Sequence, residues 1–397
     1  MTINHKITRR SFATGTLGAV GLAAFGKGAF AAIAPPAAPV TLNIIDVAGN
    51  LALTRTVFDA YKEAKPNFVS AMTFTKAPAP ELPAKIKAQQ AANSVQIDLV
   101  LTGTDALAAG IEQGLWAELL PAHAKDLPNP DQVYLPNANR MQGLAKGQGL
   151  VVNYYPSGPL FEYMPDKVKN PPKTAAELLD WAKANPGRFM YGRPANSGPG
   201  RTLMMGLPYI LGDKDPMDPA AGWDKTWAYL AALGETVEYY PSGTGATMKE
   251  LGEGSRDMIA STTGWDINPR ALGIVPKEAK VLALEGMHWV MDAHYMCVPK
   301  GVSDDKLSVL LDLMNFLLLP QNQAFTYDKG YFYPGPAVKD VPITAAPKES
   351  QDVIAEFGRP EYDAMIASRP TEMPLPADRM VQAFKLWDER IGGKKLK

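Results

Sequence analysis

The chain has 397 residues, with 40 Lys and Arg against 41 Asp and Glu and a formal charge of −1. So even a balance, without a basic run, excludes the electrostatic footprint of a nucleic-acid binder. The single cysteine, Cys297, excludes an internal disulfide and any metal site built on a Cys cluster; in HYMCVP it reads as a buried, inert thiol.

The N-terminus reads as an export leader. It has a polar start with Thr8-Arg9-Arg10-Ser11-Phe12, a weakly apolar run over 15–25 and Ala29-Phe30-Ala31 as a cleavage site. Twin arginines followed by Phe12 point to the Tat route, although Thr14 stands where that pattern usually ends in lysine. The apolar run is too short to span a bilayer, and no run of eighteen apolar residues occurs elsewhere. Cleavage after Ala31 leaves 366 of the 397 residues, and removes Lys6, Arg9, Arg10 and Lys27 with no acid, so the formal charge passes from −1 to −5. The expected location is the periplasm, and the length suffices for two lobes.

Residues 41–48 read as a buried strand, and an apolar helical pattern over 51–64 stops before Pro66. The next predicted elements are a strand at 68–75, a helix at 81–92 and a strand at 97–101. This alternation predicts a parallel sheet with crossovers. Thr102-Gly103-Thr104-Asp105 follows the third strand and opens a helix. Ligands sit outside the carboxyl ends of such strands, so Thr102, Thr104 and Asp105 are site candidates, with N-capping the competing use of the last two.

Residues 148–158 read as a strand with paired tyrosines, and a capping box at Thr174 and Glu177 opens a helix. After a strand at 188–192, GRPANSGPGRTL (192–203) joins a strand end to a buried helix through a Gly/Pro/Ser loop. Unpaired amides and the positive helix end at such a junction receive a carboxylate or phosphate. Arg201 adds a fork of donors; a structural ion pair is its competing role. A helix at 223–233, Tyr239-Tyr240, another Gly/Ser/Thr loop before a helix, and a strand at 258–262 follow. That strand ends on Thr263-Gly264-Trp265-Asp266. The extended stretch 288–301 mirrors the one at 150–153, which predicts two lobes joined by two crossings. A helix at 304–319 and a last helix at 377–391, carrying Met380, Phe384 and Trp387, complete the chain.

The leader, the alternation, GEGSRDMIA (252–260), FLLLPQNQAFTYDKGYFYP (316–334) and the terminal Trp helix together resemble the family 1 extracellular solute-binding proteins of ABC importers. IDVAGNLALT (45–54), YGRPANSGPGRT (191–202), TTGWDINPR (262–270) and DAHYM (292–296) resemble the periplasmic γ-aminobutyrate receptors of the polyamine and γ-aminobutyrate group. The resemblance implies an α/β, two-lobe periplasmic binding protein (type II, Venus-flytrap) with two hinge crossings. It implies a monomer without cofactor or catalysis that captures a small solute and docks on a permease in the inner membrane. The predicted division is 1–31 leader, 32–150 first lobe, 151–295 second lobe, and 296–397 the return to the first lobe with C-terminal helices.

An arginine in the ligand's path departs from the polyamine binders and favours a zwitterion. In that scheme Arg201, with Ser197 and the amides of 197–202, holds a carboxylate, while Asp266 beside the Trp265 ring holds an ammonium. Asp292 is a second acidic partner, and Tyr154, Tyr155 and Tyr240 are candidate walls. Asp266 as a turn or cap residue and the tyrosines as hinge packing are the competing readings. His288, Asp292 and His294 share a strand face, but no third strong ligand makes it a metal site. Two alternatives remain: the same role with a polyamine, if Arg201 is structural, and a Tat-exported periplasmic enzyme. The enzyme lacks support, since HExxH and GxSxG are absent. Ser303 to Lys306 spells S-x-x-K without its K-T-G partner, and Ser303 reads as an N-cap.

Overall fold

The computed structural model describes residues 33–395; the leader with its twin arginines lies outside the described residues. The first half folds as the alternation predicts. β1 (Val40–Asp46) buries Leu42, Ile44 and Ile45, and it pairs in parallel with β2 (Val69–Lys76) and β3 (Leu99–Thr102). The crossovers are α1 (Leu51–Ala64) and α2 (Leu82–Ala91). α3 (Thr104–Glu112) leaves the end of β3.

β4 (Leu150–Gly158) runs antiparallel in the same sheet, and the chain passes directly into β5 (Leu160–Tyr163) of a second sheet. That sheet adds β6 (Phe189–Met190), β7 (Met258–Ser261) and β8 (Lys280–Leu282) in the order β6-β7-β5-β8. Its helix Ala175–Ala184 starts on the predicted capping box: Glu177 N donates to Thr174 Oγ1 (3.1 Å) and Lys173 N to Glu177 Oε2 (2.7 Å). α4 (Gly198–Leu211) follows β6, with Gly200 N donating to the cap oxygen of Ser197 (3.3 Å), and it ends on Gly212 at φ 63°. α5 (Thr244–Gly252) precedes β7.

β9 (Trp289–Cys297) carries the chain back and pairs with β3 and β4. With β10 (Gly335–Pro336) and β11 (Thr371–Glu372), the first sheet has seven strands. Their order is β10-β4-β9-β3-β1-β2, with β11 beside β9. β4–β5 and β8–β9 are the two expected crossings. A further connection was not foreseen: after β10, Ala337 and Val338, which pack in the first lobe, the chain returns to the second lobe, where Phe357 and Tyr362 pack on Leu160, Ile267 and Trp289.

The C-terminal helix α6 (Ala377–Trp387) packs in the second-lobe core and against Ala108 of α3 in the first lobe. Met380 and Trp387 lie in the second-lobe core with Tyr191, Leu203 and Tyr240, Trp387 Nε1 donates to Tyr191 OH (3.1 Å), and Arg193 pairs with Asp388. An amphipathic helix goes where its apolar stripe is covered, and only long-range packing decides which lobe covers it. Ser303 stands at the N-cap of the helix Asp304–Leu317 but its side chain makes no cap bond, and Lys306 pairs with the buried Asp98 (2.9 Å). Among the described residues no helix is long and apolar enough to cross a membrane.

Candidate functional site

The two sheets meet at a cleft of about 270 Å³. The first lobe lines it with strand ends and helix starts, Asp46 to Gly49 after β1, Lys76 to Pro78 after β2, and Gly103 and Asp105 after β3. The second lobe contributes Asn196, Gly198 and Arg201 around the start of α4, Thr244 and Gly245 at the start of α5, and Trp265. Tyr155 and His294 come from the hinge strands, and Tyr331 and Phe332 from the loop before β10.

At the cleft wall the Arg201 guanidinium ties the lobes together. Its Nη1 donates to Asp105 Oδ2 of the first lobe (2.9 Å) and its Nη2 to Asp292 Oδ2 of the hinge (2.5 Å). Asp292 also accepts from Thr104 Oγ1 (2.9 Å), Tyr155 OH (3.2 Å) and Ala293 N (2.9 Å). Burial by itself would lower the Arg201 pKa, but the Asp292 and Asp105 carboxylates outweigh it and raise it, so the guanidinium stays charged. Guanidinium has five N–H donors. The two protein bonds leave one N–H on each terminal nitrogen, and among the described residues the buried Nε has no partner.

Asp46 fixes the opposite loop by accepting from Ala48 N (3.0 Å), Asn50 N (3.0 Å) and Leu51 N (2.9 Å) at the start of α1. Three carboxylates, Asp46, Asp105 and Asp292, against Arg201 and Lys76 give the site a formal balance of −1. Rings close the space: Tyr331 and Phe332 centroids are 4.1 Å apart, Tyr155 and Phe332 4.9 Å, and Trp265 and Tyr331 5.0 Å. Their faces suit a cation. Among the described residues no three His, Cys, Asp or Glu side chains converge as metal ligands.

Arg201, Asp105 and Trp265 thus line the cleft, and Thr104 and Asp292 stand behind them in the same bonded cluster. Ser197 caps α4 and shares a bond with Thr244 (2.8 Å). Thr102 is buried and turns its hydroxyl to Gly103 O (3.1 Å). Three expectations need correction. Asp266 does not face the cleft: it is fully buried, with Arg359 (2.7 Å), Arg270 (3.3 Å) and the Tyr362 hydroxyl on its carboxylate. Two guanidinium groups already neutralise it. Tyr154 points to the first-lobe core, where its hydroxyl accepts from Asn137 Nδ2 (3.1 Å), because neighbours in a strand face opposite ways and Tyr155 takes the cleft. Tyr240 packs on Trp387 and Tyr191 inside the second lobe. Asp46, Lys76, Asn196, Thr244, His294, Tyr331 and Phe332 also line the cleft and were not singled out as site residues by the sequence. The rule that placed Asp105 at a strand end also reaches Asp46 after β1, but nothing local marks Tyr331 or Phe332.

A two-lobe α/β molecule with a charged cleft at the hinge defines a solute-binding protein. The profile of the bacterial extracellular solute-binding proteins matches residues 56–355, and the chain belongs to that family, the solute-capturing components of ABC importers. A comparison with curated protein sequences finds no match. Among solved structures the fold is shared with a periplasmic thiamin binding protein (15% identity, TM-score 0.63, covering 91% of this chain and 100% of that one). It is shared with an ABC transporter substrate-binding protein from Bradyrhizobium japonicum (18%, 0.60, 88% and 98%). It is also shared with the spermidine/putrescine ABC transporter substrate-binding protein from Streptococcus pneumoniae (12%, 0.55, 87% and 99%).

Proposed function

We propose that the cleft captures a small zwitterion with an ω-amino group, γ-aminobutyrate first, and delivers it to a permease in the inner membrane. In this reading the protein is a monomer exported by its twin-arginine leader, binds without turnover and uses no cofactor. One observation carries it: a permanently charged guanidinium on the cleft wall keeps unused donors beside a corner of acids and rings. Arg201, with the amide ends of α4 and α5, takes the carboxylate. The ammonium goes to Asp105 and Asp46 among Tyr155, Phe332 and Trp265, not to Asp266. Because Asp105 and Arg201 come from different lobes, closure assembles both ends of the site at once.

A polyamine is the second reading, favoured by the excess carboxylate and by Arg201 already being paired. Calorimetric titration of ligand-stripped protein separates the two. Saturable binding of γ-aminobutyrate with silence toward putrescine supports the zwitterion; binding of putrescine alone makes Arg201 structural and overturns it. Release of altered product during the titration would restore the enzyme reading.

A further inference from the structure

We propose that His294 is a specificity-determining residue: its imidazole, in the acidic corner of the cleft, accepts an N–H from the ligand's ammonium and makes the site select primary amines over quaternary ones. The inference rests on the reading that a cationic nitrogen enters this corner.

His294 lies on β9, two residues beyond Asp292 and therefore on the same strand face. It is 3% exposed, lines the cleft, and meets the Phe332 ring edge-on at 4.2 Å and the Tyr155 ring at 6.2 Å. Its Nδ1 is buried with no partner among the described residues. A neutral imidazole carries one N–H and one lone pair, and an unmet ring nitrogen at a ligand cleft costs free energy until something binds it. The charged groups that act on it are Asp292, Asp46, Asp105 and Arg201; burial outweighs the three acids and holds it neutral. A cationic imidazole here would repel an ammonium, whereas a neutral one offers a lone pair.

The rings of Tyr155, Phe332, Tyr331 and Trp265 would attract any organic cation through their faces. They cannot tell –NH₃⁺ from –N(CH₃)₃⁺. A lone pair can, because the methylated nitrogen has no proton to give, and a site built to hydrogen-bond an N–H rejects the analogue lacking it. His294 together with Asp105 supplies that requirement.

The test is titration calorimetry of ligand-stripped protein with γ-aminobutyrate and with its N,N,N-trimethyl analogue, on the native chain, His294→Phe and His294→Gln. Thermal melts of the unliganded variants report folding. The native chain is expected to favour the primary amine by about a hundredfold or more. His294→Phe should lose about tenfold or more for the primary amine while leaving the trimethyl compound unchanged, and His294→Gln should recover part of the loss through its amide oxygen. Equal affinities of the native chain for both compounds, or parallel losses for both in the Phe variant, overturn the proposal. If His294→Phe does not fold, His294→Gln decides: a primary-to-trimethyl ratio equal to the native one overturns the proposal. If γ-aminobutyrate is silent and putrescine binds, the zwitterion fails separately. The same ratio, measured with putrescine and its bis-trimethyl analogue, then decides the role of His294.

Discussion

Two buried ion clusters in this molecule are mirror images in charge. At the cleft one arginine, Arg201, sits between two aspartates, Asp105 and Asp292. In the second lobe one aspartate, Asp266, sits between two arginines, Arg270 and Arg359, with the Tyr362 hydroxyl on its other oxygen. Both grow from a Gly-rich loop at the end of a strand, so they look alike locally. They differ in what they join. The first spans a first-lobe helix, a second-lobe helix and a hinge strand, elements that must part for a solute to enter. The second joins a second-lobe loop to the C-terminal segment packed on that lobe. On the proposed function, a charge cluster becomes a binding device when its members sit on bodies that move apart, and a staple when they do not.

The largest effect should come from breaking the staple. Asp266→Ala removes the carboxylate bonded to both arginines and is expected to cost about 3–5 kcal/mol of folding stability, read by denaturant melts. An unchanged midpoint would show that the second cluster is no staple. Arg201→Ala should act chiefly on binding, at about 2–5 kcal/mol by calorimetry. A variant that binds γ-aminobutyrate with native affinity removes Arg201 from ligand recognition.

Titration sharpens the same contrast. Glu162, wholly buried beside the Asp266 cluster, is pushed up to about 8 by burial first and then by the Asp266 carboxylate. A carboxyl whose folded pKa is raised gives its full stability below the unfolded value of 4.5 and loses it as pH rises through about 8. His294 runs the other way: burial lowers it to about 4, so its contribution is full above 6.5 and is lost as pH falls toward about 4. Glu162→Gln should accordingly flatten the decline in melting temperature between about pH 5 and about pH 8 while leaving the acid-side decline in place. A variant that declines as steeply as the native chain would show that Glu162 is not the group that titrates. The smallest change is expected for Asp105→Asn, which keeps a hydrogen bond to Arg201 but removes one charge across the lobes. Affinity should fall by about 1–2 kcal/mol, and small-angle scattering of the unliganded protein should show a more open average. Compact scattering identical to the native chain would mean that this pair does not hold the lobes together.

Reading along the chain located the parallel first sheet, the two main crossings, the capping box at Thr174 and the junction that presents Arg201. Each follows from a local cause: strand and helix periods, a cap residue at fixed spacing, or a Gly/Pro loop before a buried helix. The cleft's position followed too, because crossover helices leave strand ends open on one side. Asp266 shows where local chemistry stops. The sequence around it is that of a binding loop, yet its partners Arg359 and Tyr362 stand 93 and 96 residues away, and no spacing rule reaches that far. Tyr154 and Tyr155 could not be told apart until pairing with β9 set which face turned to the cleft. Tyr331 and Phe332 line the cleft from the loop before β10, which carries no periodic signal.

What this amino-acid order decided by itself was the class of fold and the placing of an arginine at a helix start, because propensity, periodicity and capping act over a few residues. Which acids flank that arginine, which rings close the cleft, and which lobe receives the last helix were decided only by tertiary packing. Charge neutralisation and apolar burial are satisfied by whatever groups the whole fold brings within reach.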